Sequence, residues 1–450
     1  MTNRDDSTNL DDSRGRPAAL GRARRDAIYR PGAPGVAPGV PTDVAELERR
    51  AQAVMTRKAW AYVAGGAGSG ATMRANRAAF DRWQVVPRML HATTERDLRT
   101  TVLGTELAAP LLLAPVGAAG LVAQDADLRI AEGAHASGIP YVFSCRGCSP
   151  MEATAQAMAG TPFWYQLYWS TDEQLVDSMI GRAEAAGAQA LVVTLDTTML
   201  GWRTRDLGLG SLPFARGQGI AQYTSDPRFM ELVRERLGSG ARGAQSLGID
   251  ARRPLRAARS VAGGLGTLLS MSREHPGRVR DNLRSAEPRA AVETFLDIYS
   301  NPGLSWEHIA TLRERTSLPV VLKGVLHEDD ARRAFDAGVD AVVVSNHGGR
   351  QVDRSIAALD ALVRVREAVG PEPTVLMDSG VRTGADLFVA LALGADACLL
   401  GRPHVYGLAL DGAAGVGAVI DNVLGELDLT MGLVGAASIA DITRDLLVQA

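Results

Sequence analysis

The stretch "PVVLKGVLHEDDARRAFDAGVDAVVVSNHGGRQVD", Pro319 to Asp353, contains two short apolar runs, "PVVLKG" (319–324) and "AVVVSN" (341–346). Between them lies a charged segment with the pattern of an amphipathic helix. Strand, helix and strand in that order form a unit whose two strands run parallel and are covered on both faces. The second run then breaks into polar, Gly-rich sequence that carries His347 and Arg350.

The same unit repeats outward from this stretch. Upstream, the apolar runs are "LLLAP" (111–115), "YVFS" (141–144), "FWYQLY" (163–168) and "ALVVTLD" (190–196); downstream they are "TVLMD" (374–378) and "ACLLG" (397–401). Eight strands alternating with helices predict an α/β fold, a TIM (β/α)8 barrel rather than an open doubly wound sheet. The spacing is irregular once, between the fourth and fifth strands, which predicts an inserted loop over residues 207–300. Residues 233–290 within it hold twelve Arg against five Asp plus Glu, with many Gly and little apolar period, so a mobile lid is expected.

The helix breakers in "RPGAPGVAPGVP" predict a flexible tail over residues 1–45, with the barrel domain over 46–450. The tail's "GRARR" suits a polyanion, or simply solvent, since aspartates nearby cancel most of its charge. The segment from Asp43 to Trp83 has helical spacing on both sides of a Gly cluster. No strand precedes that cluster and its spacing is not G-x-G-x-x-G, so it is not a dinucleotide fingerprint.

With 450 residues, 46% of them hydrophobic, and a net charge of -3, the chain has the core of a globular protein and no overall pull toward nucleic acid or anionic lipid. No run reaches the roughly 18 consecutive apolar residues of a membrane span. Three cysteines are too few for a disulfide framework, and the N-terminus has no signal-peptide pattern, so a cytoplasmic protein is expected. Cys145 and Cys148 form a lone C-x-x-C, readable as a redox pair, half a zinc site or incidental cysteines.

In a TIM barrel the reacting groups sit at the C-terminal ends of the strands. Here those ends carry Pro115, Val116 and Gly117, then Ser144, Gln166 with Tyr168, Thr194 with Asp196, Lys323, Ser345 with His347 and Arg350, Asp378, and Gly401 with Arg402. A structural protein needs few hydrogen-bonding groups there, so an enzyme or cofactor binder is indicated. His347 is suited to general base work with Asp196 to orient it, and Arg350 to a carboxylate. Gly380, Arg382, Gly401 and Arg402 follow the seventh and eighth strands, where barrels hold phosphate, and so imply a phosphorylated cofactor. Only two of the 48 basic residues are lysine, and Lys323 ends an apolar strand. It should face an anion or an electron-rich ring, or else form a Schiff base.

Together "SNHGGRQVD", "DSGVRTGAD", "LALGADACLLGRP", "QLY", "LVVTLDT" and "PVVLKGV" resemble the FMN-dependent α-hydroxy-acid oxidases and dehydrogenases, from about Val44 to the C-terminus. Within that family "YVAGGAGS", "RANRAAFDRW", "PRML", "APVG", "LGWRTRDL", "LPFARGQGIAQYTSDP" and "LDLTMGL" are most similar to the lactate 2-monooxygenases. The resemblance implies FMN as cofactor, a small 2-hydroxy acid and O2 as reactants, and a homo-tetramer or octamer. It implies His347 as catalytic base with Asp196, a carboxylate clamp of Arg350 and Arg203, and substrate hydrogen bonds from Tyr62 and Tyr168. Lys323 would sit by the flavin N1 and C2 carbonyl. Ser144, Gln166, Thr194, Ser345 and the Pro115–Val116–Gly117 backbone would hold the flavin ring; Asp378, Ser379, Gly380, Arg382, Gly401 and Arg402 would hold the ribityl chain and phosphate.

Such a set suits removal of two electrons from Cα and a proton from the hydroxyl. Gly117 would leave room beside the flavin for oxygen and retained keto acid, giving lactate 2-monooxygenase chemistry: L-lactate + O2 to acetate + CO2 + H2O. Early release would instead give the 2-keto acid and H2O2. Arg146, in "SCRGCSP", stands near a position that lines the substrate side chain in the family, which opens the range to larger or acidic substrates.

Overall fold

The computed structural model describes residues 20–239 and 254–450, without the side chains of 254–262. Eight strands close into a barrel: β1 Leu111–Leu113, β2 Tyr141–Ser144, β3 Phe163–Leu167, β4 Leu191–Thr194, β5 Val320–Val325, β6 Ala341–Val344, β7 Thr374–Met377 and β8 Ala397–Leu400. Each pairs in parallel with the next, and β8 closes on β1. The expected TIM barrel is the observed fold.

Alternation along the strands places the site. Leu112, Val142, Trp164, Val192, Val321, Val343, Leu376 and Leu399 form the barrel's inner core, while Leu113, Phe143, Tyr165, Val193, Leu322, Val344, Met377 and Leu400 belong to the core between strands and helices. Two residues beyond each inner side chain, the same phase brings Ser144, Gln166, Thr194, Lys323, Ser345 and Asp378 to the barrel's C-terminal mouth. At the other end the antiparallel hairpin Thr100–Val102/Thr105–Leu107 adds Val102 and Leu107 to the inner core.

One expectation is corrected. The tail expected over 1–45 contains a helix, Leu20–Gly32, docked on the helix Arg402–Val434; residues 1–19 lie outside the described part. Gly21 N donates to the buried Asp428 carboxylate at 2.8 Å, and Arg24 Nε to Asn422 Oδ1 at 2.8 Å. A Cβ on Gly21 would stand 2.5 Å from the Gly425 carbonyl, so this helix is held by close backbone approach, a contact that apolar periodicity cannot reveal.

The insertion after β4 carries helices that its sequence pattern does not announce. Residues 240–253 lie outside the described part, but the rest is largely helical, with Pro227–Ser239, Pro254–Glu274 and Glu287–Ile298. Its Phe214 and Phe295 are fully buried, with ring centroids 5.4 Å apart. The Arg count hid these aromatic anchors. The helix Arg402–Val434 is long and apolar enough to cross a bilayer, yet it packs against the helices Leu20–Gly32 and Ala126–Ala136 and is kinked at Asp411 and Gly412.

Candidate active site

One cavity opens at the barrel mouth, with about 880 Å³ of empty space that includes open solvent. His347, Arg350, Arg203, Tyr62, Tyr168, Gly380, Arg382, Gly401, Arg402, Lys323, Asp378 and Ser379 line it with Pro115, Val116 and Gly117, and Arg350 and Arg402 both donate to the Gly65 carbonyl. Ser144, Gln166, Thr194 and Ser345 are buried behind this lining, and Asp196 reaches it through His347.

His347 leaves β6 with a left-handed backbone, φ 57°. Its Nδ1 lies 2.8 Å from Asp196 Oδ1, and its backbone N–H donates to Ser345 Oγ at 3.0 Å. Burial draws His347 below the ordinary imidazole range although the Asp196 charge pulls the other way. Burial would raise the Asp196 carboxyl, but the His347 interaction and the Lys323 charge hold it below its usual value. The result is a carboxylate beside a neutral imidazole, the arrangement of an oriented general base.

Gln351 ties this pair to the guanidiniums. Its Nε2 donates to the Asp196 carbonyl at 2.6 Å, and its Oε1 accepts from Arg203 Nη2 at 3.0 Å. Arg350 Nη1 donates to the Tyr62 and Gly65 carbonyls, and its guanidinium lies 4.7 Å over the Tyr62 ring. Burial, aided by the Arg350 charge, lowers Arg203 to about 10, and burial lowers Arg350 as well. Two buried, mutually repelling cations beside a base form a site for an anion.

Lys323 Nζ meets Asp378 Oδ2 at 2.7 Å and Ser345 Oγ at 2.9 Å. Burial opposes its charge, but Asp378 and Asp196 raise its pKa, so the amine stays protonated. That disfavours the Schiff-base use, which needs a free amine. Asp378, expected beside the ribityl chain and phosphate, is engaged by Lys323 and by Ser379 Oγ at 2.7 Å, although it also faces the cavity.

The fit to FMN can be tested on these groups. Gln166 Nε2 and Thr194 Oγ1 are buried with no hydrogen-bond partner in the protein. Leaving each so costs roughly 1–3 kcal/mol, and the heteroatom edge of a flavin ring would satisfy both. Burial and the charge of Arg382 push Arg402 down to about 10, a repulsion that a phosphate dianion would relieve. The residues fit the group.

Sequence reasoning missed several contributors. Asp353, present in the opening stretch without a role, accepts from Ser69 N at 2.6 Å and Ala71 N at 2.7 Å, fixing the start of the helix Ala71–Asp81. Asn346 and Asn76 exchange side-chain hydrogen bonds at 2.7 and 2.8 Å, locking that helix to the His347 turn. Phe214 and Tyr299 of the insertion flank Arg146. The three cysteines are free, burial pushes their thiols up, and no metal-binding cluster exists among the described residues, which leaves the incidental reading of Cys145 and Cys148.

Comparison with known proteins gives the same picture. Residues 51–449 match the model of a family described as FMN-dependent dehydrogenase. The FMN-dependent alpha-hydroxy acid dehydrogenase qulF of Penicillium citrinum is 38% identical over 408 residues, covering 91% of this chain and 90% of that protein. The L-lactate oxidase of Lysinibacillus sphaericus is 36% identical over 409 residues, covering 91% and 93%. Among solved structures, mandelate oxidase with (S)-4-hydroxymandelic acid superposes with a TM-score of 0.71 at 32% identity, covering 91% of this chain and 99% of that one.

Proposed function

Since the chain belongs to the FMN-dependent dehydrogenase family and is an oxidoreductase acting on the CH–OH of α-hydroxy acids, we propose that His347 is its catalytic base and that an L-2-hydroxy acid binds between His347 and the Arg203–Arg350 pair. The observation that carries this reading is the single cavity joining the His347–Asp196 pair to the Arg382–Arg402 pair. When bound, FMN supplies the acceptor for the two electrons that leave the substrate Cα.

The chain's own residues do the rest. Arg350 and Arg203 hold the substrate carboxylate, and the Tyr62 and Gly65 carbonyls fix the Arg350 fork. Tyr62 and Tyr168 line the space beside the hydroxyl. His347, whose Nδ1 is committed to Asp196, takes the hydroxyl proton at Nε2, and the Asp196 carboxylate stabilises the imidazolium that forms. Lys323, kept charged by Asp378, would offer the flavin ring a fixed cation. Arg382, Arg402 and the amides of Gly380 and Gly401 would hold the phosphate.

For the fate of oxygen we propose release of the keto acid: R–CHOH–COO⁻ + O2 to R–CO–COO⁻ + H2O2. The supporting observation is at Gly117, where a Cβ would stand 2.8 Å from Arg146 Cβ. The room that the missing side chain leaves lies against Arg146. The second reading, decarboxylating monooxygenation of L-lactate, is favoured by the motifs from "YVAGGAGS" to "LDLTMGL". Aerobic turnover decides between them: keto acid and peroxide in equal amounts support the first, and acetate with CO2 from L-lactate replaces it by the second.

A further inference from the structure

Arg146 is a buried cation that the reaction as described does not use. It follows β2, is 3% exposed, and lines the cavity alongside Gly117 and Tyr168. Its guanidinium carbon lies 3.7 Å over the Tyr168 ring, 4.9 Å from the Tyr299 ring centroid and 5.4 Å from that of Phe214. Its Nε and Nη2 have no hydrogen-bond partner. No carboxylate among the described residues pairs with it.

Stacking on aromatic faces partly offsets the desolvation of a guanidinium, but it leaves the in-plane N–H donors unsatisfied. An unpaired buried charge is costly enough that such groups are ordinarily paired. The Arg203–Arg350 pair already provides for the carboxylate on the reacting carbon. Arg146 is a third guanidinium in the same cavity, close enough to Arg203 to repel its charge. It therefore calls for a second anion on the same substrate.

Building on the proposed function, we infer that the preferred substrate is a 2-hydroxydicarboxylic acid whose distal carboxylate is held by Arg146 against Tyr168, Phe214 and Tyr299. The oxidation converts CHOH to C=O with two electrons and two protons passing to O2 as H2O2, and both carboxylates are retained. The insertion after β4 acts here as a specificity element, since it supplies Phe214 and Tyr299. Gly117 takes a matching part: with any side chain there, the Arg146 backbone and Cβ must move.

The test compares kcat/KM of the FMN-loaded enzyme for L-2-hydroxyglutarate and its near-isostere with an uncharged tail, L-2-hydroxyhexanoate, in wild type, Arg146→Met and Arg146→Lys. In parallel, glutarate and hexanoate are titrated against the visible flavin spectrum, which reads binding without turnover. A charged hydrogen-bonded contact of this kind is worth roughly 10- to 100-fold. The wild type should favour the diacid in both arms by about that factor, Arg146→Met should bring the ratio near unity, and Arg146→Lys should restore part of it. Equal or better turnover of the neutral acid by the wild type overturns the inference and leaves the hydroxy-acid reading intact. A diacid preference that survives in Arg146→Met overturns the assignment to this residue. If neither hydroxy acid is oxidised, a 2-hydroxydicarboxylate as preferred substrate is overturned, while Arg146-dependent glutarate binding would still support the anion site and its absence would overturn that too.

Discussion

His347 and Asp196 meet across the barrel mouth at 2.8 Å, and Gly324 makes the approach possible. Gly324 interrupts the β5–β6 register between Lys323 and Val325 with φ 104°, and a Cβ on it would stand 2.9 Å from Asp196 Cβ. A bulge in β5 thus clears the space from which a residue after β4 orients the base on the turn after β6.

Gly324→Ala tests that relationship. The backbone must enter a region that costs a non-glycine residue about 1–3 kcal/mol, and Asp196 must move. The variant should melt at lower temperature and reduce its flavin more slowly than wild type under anaerobic conditions. A variant with wild-type reduction rate would show that the bulge does not position the base.

The pH profile follows from the direction of the His347 shift. Burial places its pKa below the ordinary 6.5, so the neutral, basic form persists through neutral pH. The kcat/KM should be level above an acid limb lying under 6.5, then fall about tenfold per pH unit as His347 protonates. Asp196 raises the His347 pKa; Asp196→Asn should therefore lower the plateau and move the limb to still lower pH. A limb that moves upward would contradict the pairing.

Lys323 and Asp378 are 4% and 9% exposed and bonded at 2.7 Å. Removing one member leaves an uncompensated buried charge, at a cost of about 3–5 kcal/mol. Lys323→Met should lower the melting temperature markedly, and Lys323→Met combined with Asp378→Asn should recover part of the loss. An unchanged melt for the single variant would argue that the pair is not the buried ion pair described.

The barrel was legible in the sequence because parallel strands are buried on both faces and read as short apolar runs, and because the two-residue period carries the inner phase on to Ser144, Gln166, Thr194, Lys323 and Asp378. His347 and Asp196 could be placed at strand ends by the same logic. What stayed hidden depends on contacts distant in the chain. Tyr299 and Arg146 are neighbours only because the insertion folds back over β2, and no local pattern links them. The docking of Gly21 on Asp428 and the capping of Ala71–Asp81 by Asp353 likewise rest on single close approaches that leave no periodic trace.

The most direct test of the central claim is rapid anaerobic mixing of His347→Gln with the best L-2-hydroxy acid substrate, following the loss of flavin absorbance. His347 bonds to Asp196 and Ser345 and to neither Arg382 nor Arg402, so the variant should still hold FMN and be isolated yellow. Its flavin should be reduced slower than wild type by on the order of 10²–10⁴, the contribution expected of a positioned base. Reduction at a near wild-type rate would remove His347 from the chemistry and with it the proposed mechanism.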